Sequence, residues 1–257
     1  MDAASLLRLQ VDWGADEALN DEPWDRLRPE APATRPTTPA APVPLPLTPP
    51  AAAPARAREL ADAAATLDAL RTAMAGFDGC SLRATASALV FGDGDCAAGV
   101  AVVGEAPDAE SDRAGQAFAG PGGRMLDAML ASIGLGRADV RLLTLVPWRP
   151  PGGRAPAEAE IAACLPFAQR HLALVRPRAL MLMGAVACRW IGGIEGGARR
   201  ARGRWHHLAV SEEAPAVPAL ALPPLDQVLN QGSARQAAWL ELLLLRRFLD
   251  ESHLTAP

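Results

Sequence analysis

The chain has 257 residues and a formal net charge of −4, so it is long enough for one well-packed core but lacks the positive charge of a protein that coats nucleic acid. All 25 of its cations are arginine, a residue that favours bidentate contacts with phosphate. No signal peptide opens the chain and no apolar run reaches the ~20 residues of a membrane span. We therefore expect a cytoplasmic, bacterial protein that does not enter membranes and whose four cysteines are thiols or metal ligands, not disulfides.

Residues 1–28 combine leucine, valine and tryptophan with an acidic stretch. This pattern fits either a short amphipathic segment that contacts another protein or a weakly ordered terminus. Residues 29–55 consist largely of proline, alanine and threonine, a composition typical of an extended, disordered linker. The folded domain is accordingly expected at residues 56–252, followed by a tail at 253–257.

Beyond the linker, apolar strand-like runs alternate with helical patterns. We predict strands at residues 87–91, 100–103, 140–146, 179–183 and 219–222. We predict helices at residues 57–75, 123–133, 157–175, 185–191 and 234–251. Such alternation predicts a three-layer α/β/α fold with a parallel sheet at its centre.

A carboxylate stands directly after one of these strands. Residues 100–103 lead into Gly104 and Glu105, and in open α/β sheets ligands bind at the carboxyl ends of the strands. Phe118 follows in a loop, and the glycine-rich turn 120–123 then opens a helix. Glycines allow close approach of a ligand, and the free N–H groups of a helix start attract an anion. Together these features predict a pocket for a flat polar molecule attached to phosphate.

Three segments of the chain resemble the uracil-DNA glycosylase superfamily, most nearly its family 4: GEAPDAESDRAGQAFAGPGGRMLDAML, TLVPWRPPGGRAP and EIAACLPFAQRHLALVRPRALMLMGAVA. The resemblance covers about residues 79–248. It implies a central four-stranded parallel sheet between helices, and hydrolysis of the bond between uracil and deoxyribose during base-excision repair. The implied partner is DNA that contains uracil or another damaged base, bound by a monomer that is nucleoid-associated while it is on DNA.

The resemblance also implies roles for individual residues. Glu105 matches an acid that orients water or stabilises the cationic sugar, and a solvent-facing loop acid is the alternative. The positions implied to contact the extruded base are Ala106, Phe118, as a stacking aromatic, and Thr144. The positions implied to lie beside the DNA backbone are Gly120, Gly122, Gly123, Arg124, Arg202 and Arg204.

Two positions depart from the resembled pattern. Thr144 stands where the family has an asparagine that reads the base, and a hydroxyl cannot make the two-sided contact of an amide. Leu222 stands where the family has a histidine that stabilises the departing base. None of the chain's own histidines falls at this position, and His171 is expected on a solvent-facing helix surface. Three functions therefore stay open: a glycosylase with reduced activity on uracil, a glycosylase for another damaged base, and a non-enzymatic DNA-binding or regulatory protein with this fold.

The family usually holds a four-iron, four-sulfur cluster, which needs four thiolates. Cys80 and Cys164 match two of the ligand positions, but Phe77 and Trp148 occupy the other two. We therefore expect neither a bound metal nor another cofactor. The two aromatic side chains are expected to fill the volume that a cluster would otherwise occupy.

Overall fold

A computed structural model describes residues 52–194, 198–210 and 216–254. These residues belong to one compact unit, Pro46–Pro257. The segment 1–28, most of the expected linker and the last residues of the tail lie outside the described residues, so the division of the chain into these parts stays a prediction. None of the described helices is long and apolar enough to cross a membrane.

The described residues form five strands, nine α-helices and three short 3₁₀ turns. The strands are β1 (Val100–Gly104), β2 (Val140–Thr144), β3 (Ala179–Met183), β4 (His206–Leu208) and β5 (Val217–Leu222). The helices are α1 (Ala53–Ala63), α2 (Leu67–Gly76), α3 (Ala109–Ala114), α4 (Pro121–Ser132), α5 (Glu158–Val175), α6 (Gly184–Trp190), α7 (Ala198–Ala201), α8 (Leu225–Asn230) and α9 (Gly232–Leu254). The 3₁₀ turns are Ser81–Ala84, Arg137–Asp139 and Pro151–Gly153.

The strands form one mixed sheet in the order β2-β1-β3-β5-β4. The first four run parallel, and Val100 of β1 lies opposite both Val140 of β2 and Ala179 of β3. The predicted α/β fold class is confirmed. The expected number of four strands is wrong, because the short strand β4 pairs antiparallel along β5 and adds a fifth at the edge.

The strands β1, β2 and β3 are buried on both faces of the sheet, which explains why β1 and β3 are continuous apolar runs and why β2 is apolar except for Arg141 and Thr144. Successive side chains of β1 point to opposite faces, as in any strand. Val102 packs in a cluster with Leu130 of α4, whereas Val103 packs in a second cluster with Leu172 of α5. The helices α4 and α5 therefore cover opposite faces, and the carboxyl ends of the strands are left open at one edge.

The helix predicted at residues 57–75 is in fact two helices. The first, α1, begins at Ala53, slightly before residue 56, where the sequence places the start of the folded domain. The chain leaves the helical conformation at Ala64, and Thr66 then caps α2 by accepting a hydrogen bond from the backbone N–H of Ala69 at 3.2 Å. A threonine side chain that satisfies a free N–H favours a new helix start over continuation of the old one.

The strand predicted at residues 87–91 is absent, because its backbone groups have other partners. The N–H of Ser87 donates to the Asp112 carboxylate at 2.9 Å, and the N–H of Val90 donates to the carbonyl of Pro147 at 2.9 Å. Just beyond this segment, Asp93 makes an isolated bridge to Leu142 of β2. The segment therefore packs alongside the sheet without joining its ladder.

Candidate active site

The parallel strands end at a cavity of about 580 Å³. It is lined by the last residue of β3, by residues at or after the ends of β1, β2 and β5, and by the start of α4, so it lies where ligands bind in open α/β sheets. Of the residues predicted for the site, those that line the cavity are Glu105, Ala106, Phe118, Gly122, Gly123 and Thr144. Gly120, Arg124, Arg202 and Arg204 do not line it.

Glu105 follows β1 and is half-buried in the cavity wall. Its own carbonyl accepts a hydrogen bond from the N–H of Val146 at 3.0 Å, which extends the pairing of β1 and β2 and holds the backbone in place. Burial raises the pKa of the Glu105 carboxyl above its ordinary value, and the nearby charge of Asp226 raises this pKa further. The site therefore holds a carboxylate that is able to orient water or face a cation.

Phe118 lines the cavity, and Gly104 and Arg137 help to fix its position. A Cβ atom on Gly104 would come within 2.7 Å of the Phe118 ring, so glycine is needed at the end of β1 for this packing. The Phe118 backbone has a positive φ of 55°, which is uncommon for a side chain of this size. The guanidinium of Arg137 donates to the Phe118 carbonyl at 3.2 Å and also to the carbonyl of Ala117, which stabilises that loop conformation.

The glycine-rich turn brings the start of α4 close to Phe118. Gly120 is the N-cap of α4, and a Cβ at Gly123 would lie 1.6 Å from the Phe118 carbonyl oxygen, so no other residue fits there. Arg124 points outward with 65% of its side chain exposed and pairs with Glu110 at 3.3 Å. The turn thus forms one wall of the cavity, and Arg124 lies on the outer surface next to it.

Two buried polar atoms in the residues that line the cavity have no hydrogen-bond partner among the residues that the structure describes. They are Oγ1 of Thr144, at the end of β2, and Nε of Arg149, in the following loop. Buried polar groups in folded proteins are almost always hydrogen-bonded, so unpaired atoms at a cavity indicate where a ligand or ordered water binds. Thr144 was predicted to bind the base, and Arg149 was not among the predicted site residues.

The arginine-rich segment before β4 lies away from the cavity. Arg202 is half-buried and Arg204 is exposed. Between them, the N–H of Gly203 donates to the Glu241 carboxylate of α9 at 2.5 Å, and Trp205 packs against Phe248 with ring centroids 5.1 Å apart. The segment is therefore held against α9 as a positively charged surface separate from the cavity.

Two sequence predictions concern histidine: its replacement by Leu222, and the exposure of His171. Leu222 is fully buried at the end of β5 and does not line the cavity, and no described residue that lines it is a histidine. The expectation that His171 faces solvent is wrong. Its side chain is buried, it accepts a hydrogen bond from Arg141 Nε at 2.8 Å, and it packs against Phe91. Burial, together with the charge of Arg141, lowers the pKa of His171 to about 3, so this histidine is a neutral core residue.

The segment after β5 contributes site residues that sequence reasoning missed. Pro224, Leu225 and Asp226 line the cavity. Leu225 packs closely against the glycine-rich turn. A Cβ atom placed on Gly122 would lie 3.1 Å from the Cβ atom of Leu225. Asp226 lies in the first turn of α8 and not directly at the end of β5, so the strand pattern by itself gives no signal for it.

The two matching cysteines lie side by side in the core. The Sγ atoms of Cys80 and Cys164 are 3.8 Å apart, and both side chains are buried in a cluster with Phe77 and Trp148. The Cys80 thiol and burial raise the pKa of Cys164 well above its ordinary value, so Cys164 stays a protonated thiol. No group of three or more potential metal ligands converges among the described residues. Two thiols in an aromatic cluster do not fit a four-iron cluster, which needs four thiolates.

Comparison with known proteins agrees with this architecture. The sequence model of the Uracil DNA glycosylase superfamily matches residues 91–243, more than half of the chain. A protein named type-4 uracil-DNA glycosylase from Pyrobaculum aerophilum is 36% identical over 112 residues, which are 44% of this chain and 57% of that protein. Proteins of the same name from Archaeoglobus fulgidus and Thermotoga maritima are 38% and 33% identical over 112 and 108 residues, or 44% and 42% of this chain and 56% of each relative.

These matches span little more than half the length of the curated relatives. The family model covers the strands, the glycine-rich turn and the segment after β5. The chain therefore belongs to the uracil-DNA glycosylase superfamily, as a divergent member similar to the type-4 proteins.

Proposed function

We propose that this protein hydrolyses the N-glycosidic bond of uracil, or of another deaminated base, in DNA during base-excision repair. The observation that carries the proposal is the placement of Glu105, Phe118 and Thr144 around one cavity at the carboxyl edge of the sheet. The relatives' name supports the same reaction class. Those relatives are named as enzymes, and none of these observations favours the non-enzymatic alternative.

The reaction requires the base to leave the DNA stack and enter the cavity. Phe118 stacks on the extruded base, Ala106 lies beside it, and the free Thr144 hydroxyl hydrogen-bonds to its edge. The C1′–N bond breaks with both electrons going to the base, and positive charge develops on the sugar. Glu105 orients a water molecule, whose oxygen bonds to C1′ while its proton passes to the carboxylate.

The DNA backbone lies along the start of α4 in this proposal. Phosphate approaches the free N–H groups at the start of this helix, whose N-cap is Gly120 and whose first turn contains Gly122 and Gly123. Arg124 contacts phosphate next to the cavity, and Arg202 and Arg204 contact the strand farther away. We expect a monomer that acts on DNA in the bacterial cytoplasm.

Thr144 bears on which base is preferred. One hydroxyl donates and accepts through a single atom, whereas an amide presents a donor and an acceptor side by side. Uracil is therefore held less specifically than by an asparagine. The proposal accordingly includes other deaminated bases, such as hypoxanthine and xanthine.

The direct test is base release from single-stranded and mispaired duplex oligonucleotides that carry uracil, hypoxanthine or xanthine. We expect release from at least one of them, and a loss of about 10²- to 10⁴-fold in single-turnover rate for Glu105→Gln. Glu59→Gln, which changes an exposed carboxylate on α1, is the matched control and leaves the rate unchanged. Absence of release from every substrate, or an equal rate for Glu105→Gln, would contradict the proposal.

A further inference from the structure

Breaking a glycosidic bond leaves negative charge on the departing base, and active sites stabilise such charge with a fixed cation or N–H donor. The residues described around this cavity include no histidine. Its charged groups are the acids Glu105, Asp108 and Asp226 and the cations Arg149 and Arg154. A cation for the departing base must therefore be one of these two arginines, if the described wall supplies it.

Arg154 is already engaged by an acid of the same chain. Its guanidinium donates to both carboxylate oxygens of Glu160, at 2.9 and 2.6 Å, and to the carbonyl of Ala155 at 2.9 Å. Its side chain is about half exposed. A charge that is paired with a carboxylate and open to water contributes little field inside the cavity.

Arg149 differs in each of these respects. It is half-buried, and its Nε is a buried donor that has no hydrogen-bond partner in the described part of the chain. Its two neighbours, Trp148 and Pro150, are buried, so the backbone that carries Arg149 is held on both sides. The Thr144 hydroxyl, also unpaired, lines the same cavity. Two unpaired polar atoms in residues that line one cavity are what a bound polar ligand would satisfy.

We propose that Arg149 is a catalytic residue that stabilises the departing base as an anion, taking the part for which this cavity has no histidine. This inference rests on the proposed glycosylase activity. The Arg149 Nε–H donates a hydrogen bond to the base while the C1′–N bond breaks and both electrons go to the base. The guanidinium keeps its proton, and the base anion takes a proton from solvent after release. Glu105 and Arg149 thus face the cationic sugar and the anionic base, respectively.

Leaving-group dependence is the first test. 5-Fluorouracil leaves as a more stable anion than uracil, so it needs less help from a cation. Arg149→Met should lower the single-turnover release of uracil by about 10²-fold, but the release of 5-fluorouracil by only about tenfold. Arg149→Lys keeps the charge but not the planar N–H donor, so its rate of uracil release should lie between those of the wild type and Arg149→Met. Arg247→Met removes an exposed guanidinium from α9 and is the charge-matched control, with both rates unchanged.

Base binding to the full-length protein, observed by NMR, gives a second readout that does not depend on cleavage. The Arg149 Nε–H resonance, identified by its loss in Arg149→Lys, should shift on addition of barbiturate, a pyrimidine anion at neutral pH, and shift less with neutral uracil. If it shifts but wild-type protein releases no base, the proposed hydrolysis fails and the Arg149 contact stands. If base is released while the resonance responds to neither compound, or Arg149→Met slows both substrates equally, the Arg149 inference is overturned and hydrolysis stands.

Discussion

Replacing Phe77 by alanine tests whether aromatic packing stabilises the region where the resembled family holds its cluster. Phe77 is 1% exposed, and its ring meets that of Phe167 edge-on with centroids 5.1 Å apart. The same apolar cluster contains Cys80, Trp148 and Cys164. The substitution therefore removes a fully buried ring and leaves a cavity beside α5.

The size of the effect follows from this burial. A buried phenylalanine removes on the order of 150–200 Å² from water, worth about 4–5 kcal/mol at ~25 cal/mol per Å². Substitutions of core phenylalanine by alanine typically cost about 3–5 kcal/mol, in agreement with this value. Because domains unfold with a free energy of only about 5–15 kcal/mol, we expect Phe77→Ala to be folded but marginal.

Urea unfolding followed by circular dichroism measures the free energy of unfolding of both proteins. Leu240→Ala, at a side chain that is 55% exposed on α9, is the control and should change stability by no more than about 0.5 kcal/mol. We also expect purified wild-type protein to contain no stoichiometric iron or sulfide. A loss below about 1 kcal/mol in Phe77→Ala, or an intact iron–sulfur cluster in the wild type, would refute the idea that packing takes the place of the cluster.

Three further predictions concern the cavity and the core. The rate of base release should fall as the pH drops through the raised pKa of Glu105, because the carboxylate is the form that orients water. Asp226→Asn should move this acidic limb of the pH–rate profile to lower pH, because it removes the nearby charge that raises the pKa of Glu105. A limb that does not move would count against the coupling of the two acids. Thr144→Asn adds the second polar atom of an amide and should raise the ratio of uracil to hypoxanthine release by on the order of tenfold in single-turnover assays; an unchanged ratio would show that residue 144 does not read the base. The pKa of His171 is lowered from 6.5 to about 3, so only the unfolded chain takes up its proton between these values, and stability should fall by a few kcal/mol as the pH drops from about 6.5 to 3. His171→Gln should flatten that dependence in urea titrations, and a curve parallel to that of the wild type would exclude His171 as its source.

Most of the parallel sheet could be predicted because its signal is local. The strand β3 was predicted with its observed limits, and β1 and β2 differ from prediction only at their ends. The strands β1 and β3 are uninterrupted apolar runs and β2 is apolar except for Arg141 and Thr144, since both faces of the sheet are covered. The short strand β4 has no such run, because it lies at the edge and pairs on one side only. Its existence depends on the neighbouring β5 and not on its own composition.

The site residues, too, could be predicted only where the signal is local in the sequence. Glu105 and the glycine-rich turn were accessible to sequence reasoning, because a strand end, an acid and a helix start follow one another along the chain. Asp226 and Arg149 were not, since they reach the cavity only when the ends of β5 and β2 are brought to the same edge. His171 was misjudged because a helix pattern does not reveal that Arg141 of β2 lies against it.

By itself, then, the sequence determined the fold class, the edge of the sheet at which the cavity opens, and the acid and aromatic residue that belong to it. Only the tertiary structure decided that Phe118 lies over Gly104, that Cys80 and Cys164 are enclosed with aromatic side chains, and that Arg149 lines the cavity with an unpaired donor. The physical reason is the distance along the chain over which each interaction acts. Apolar periodicity, capping and turn residues act over a few positions, whereas a cavity is formed by side chains whose meeting depends on strand order, register and packing between distant segments.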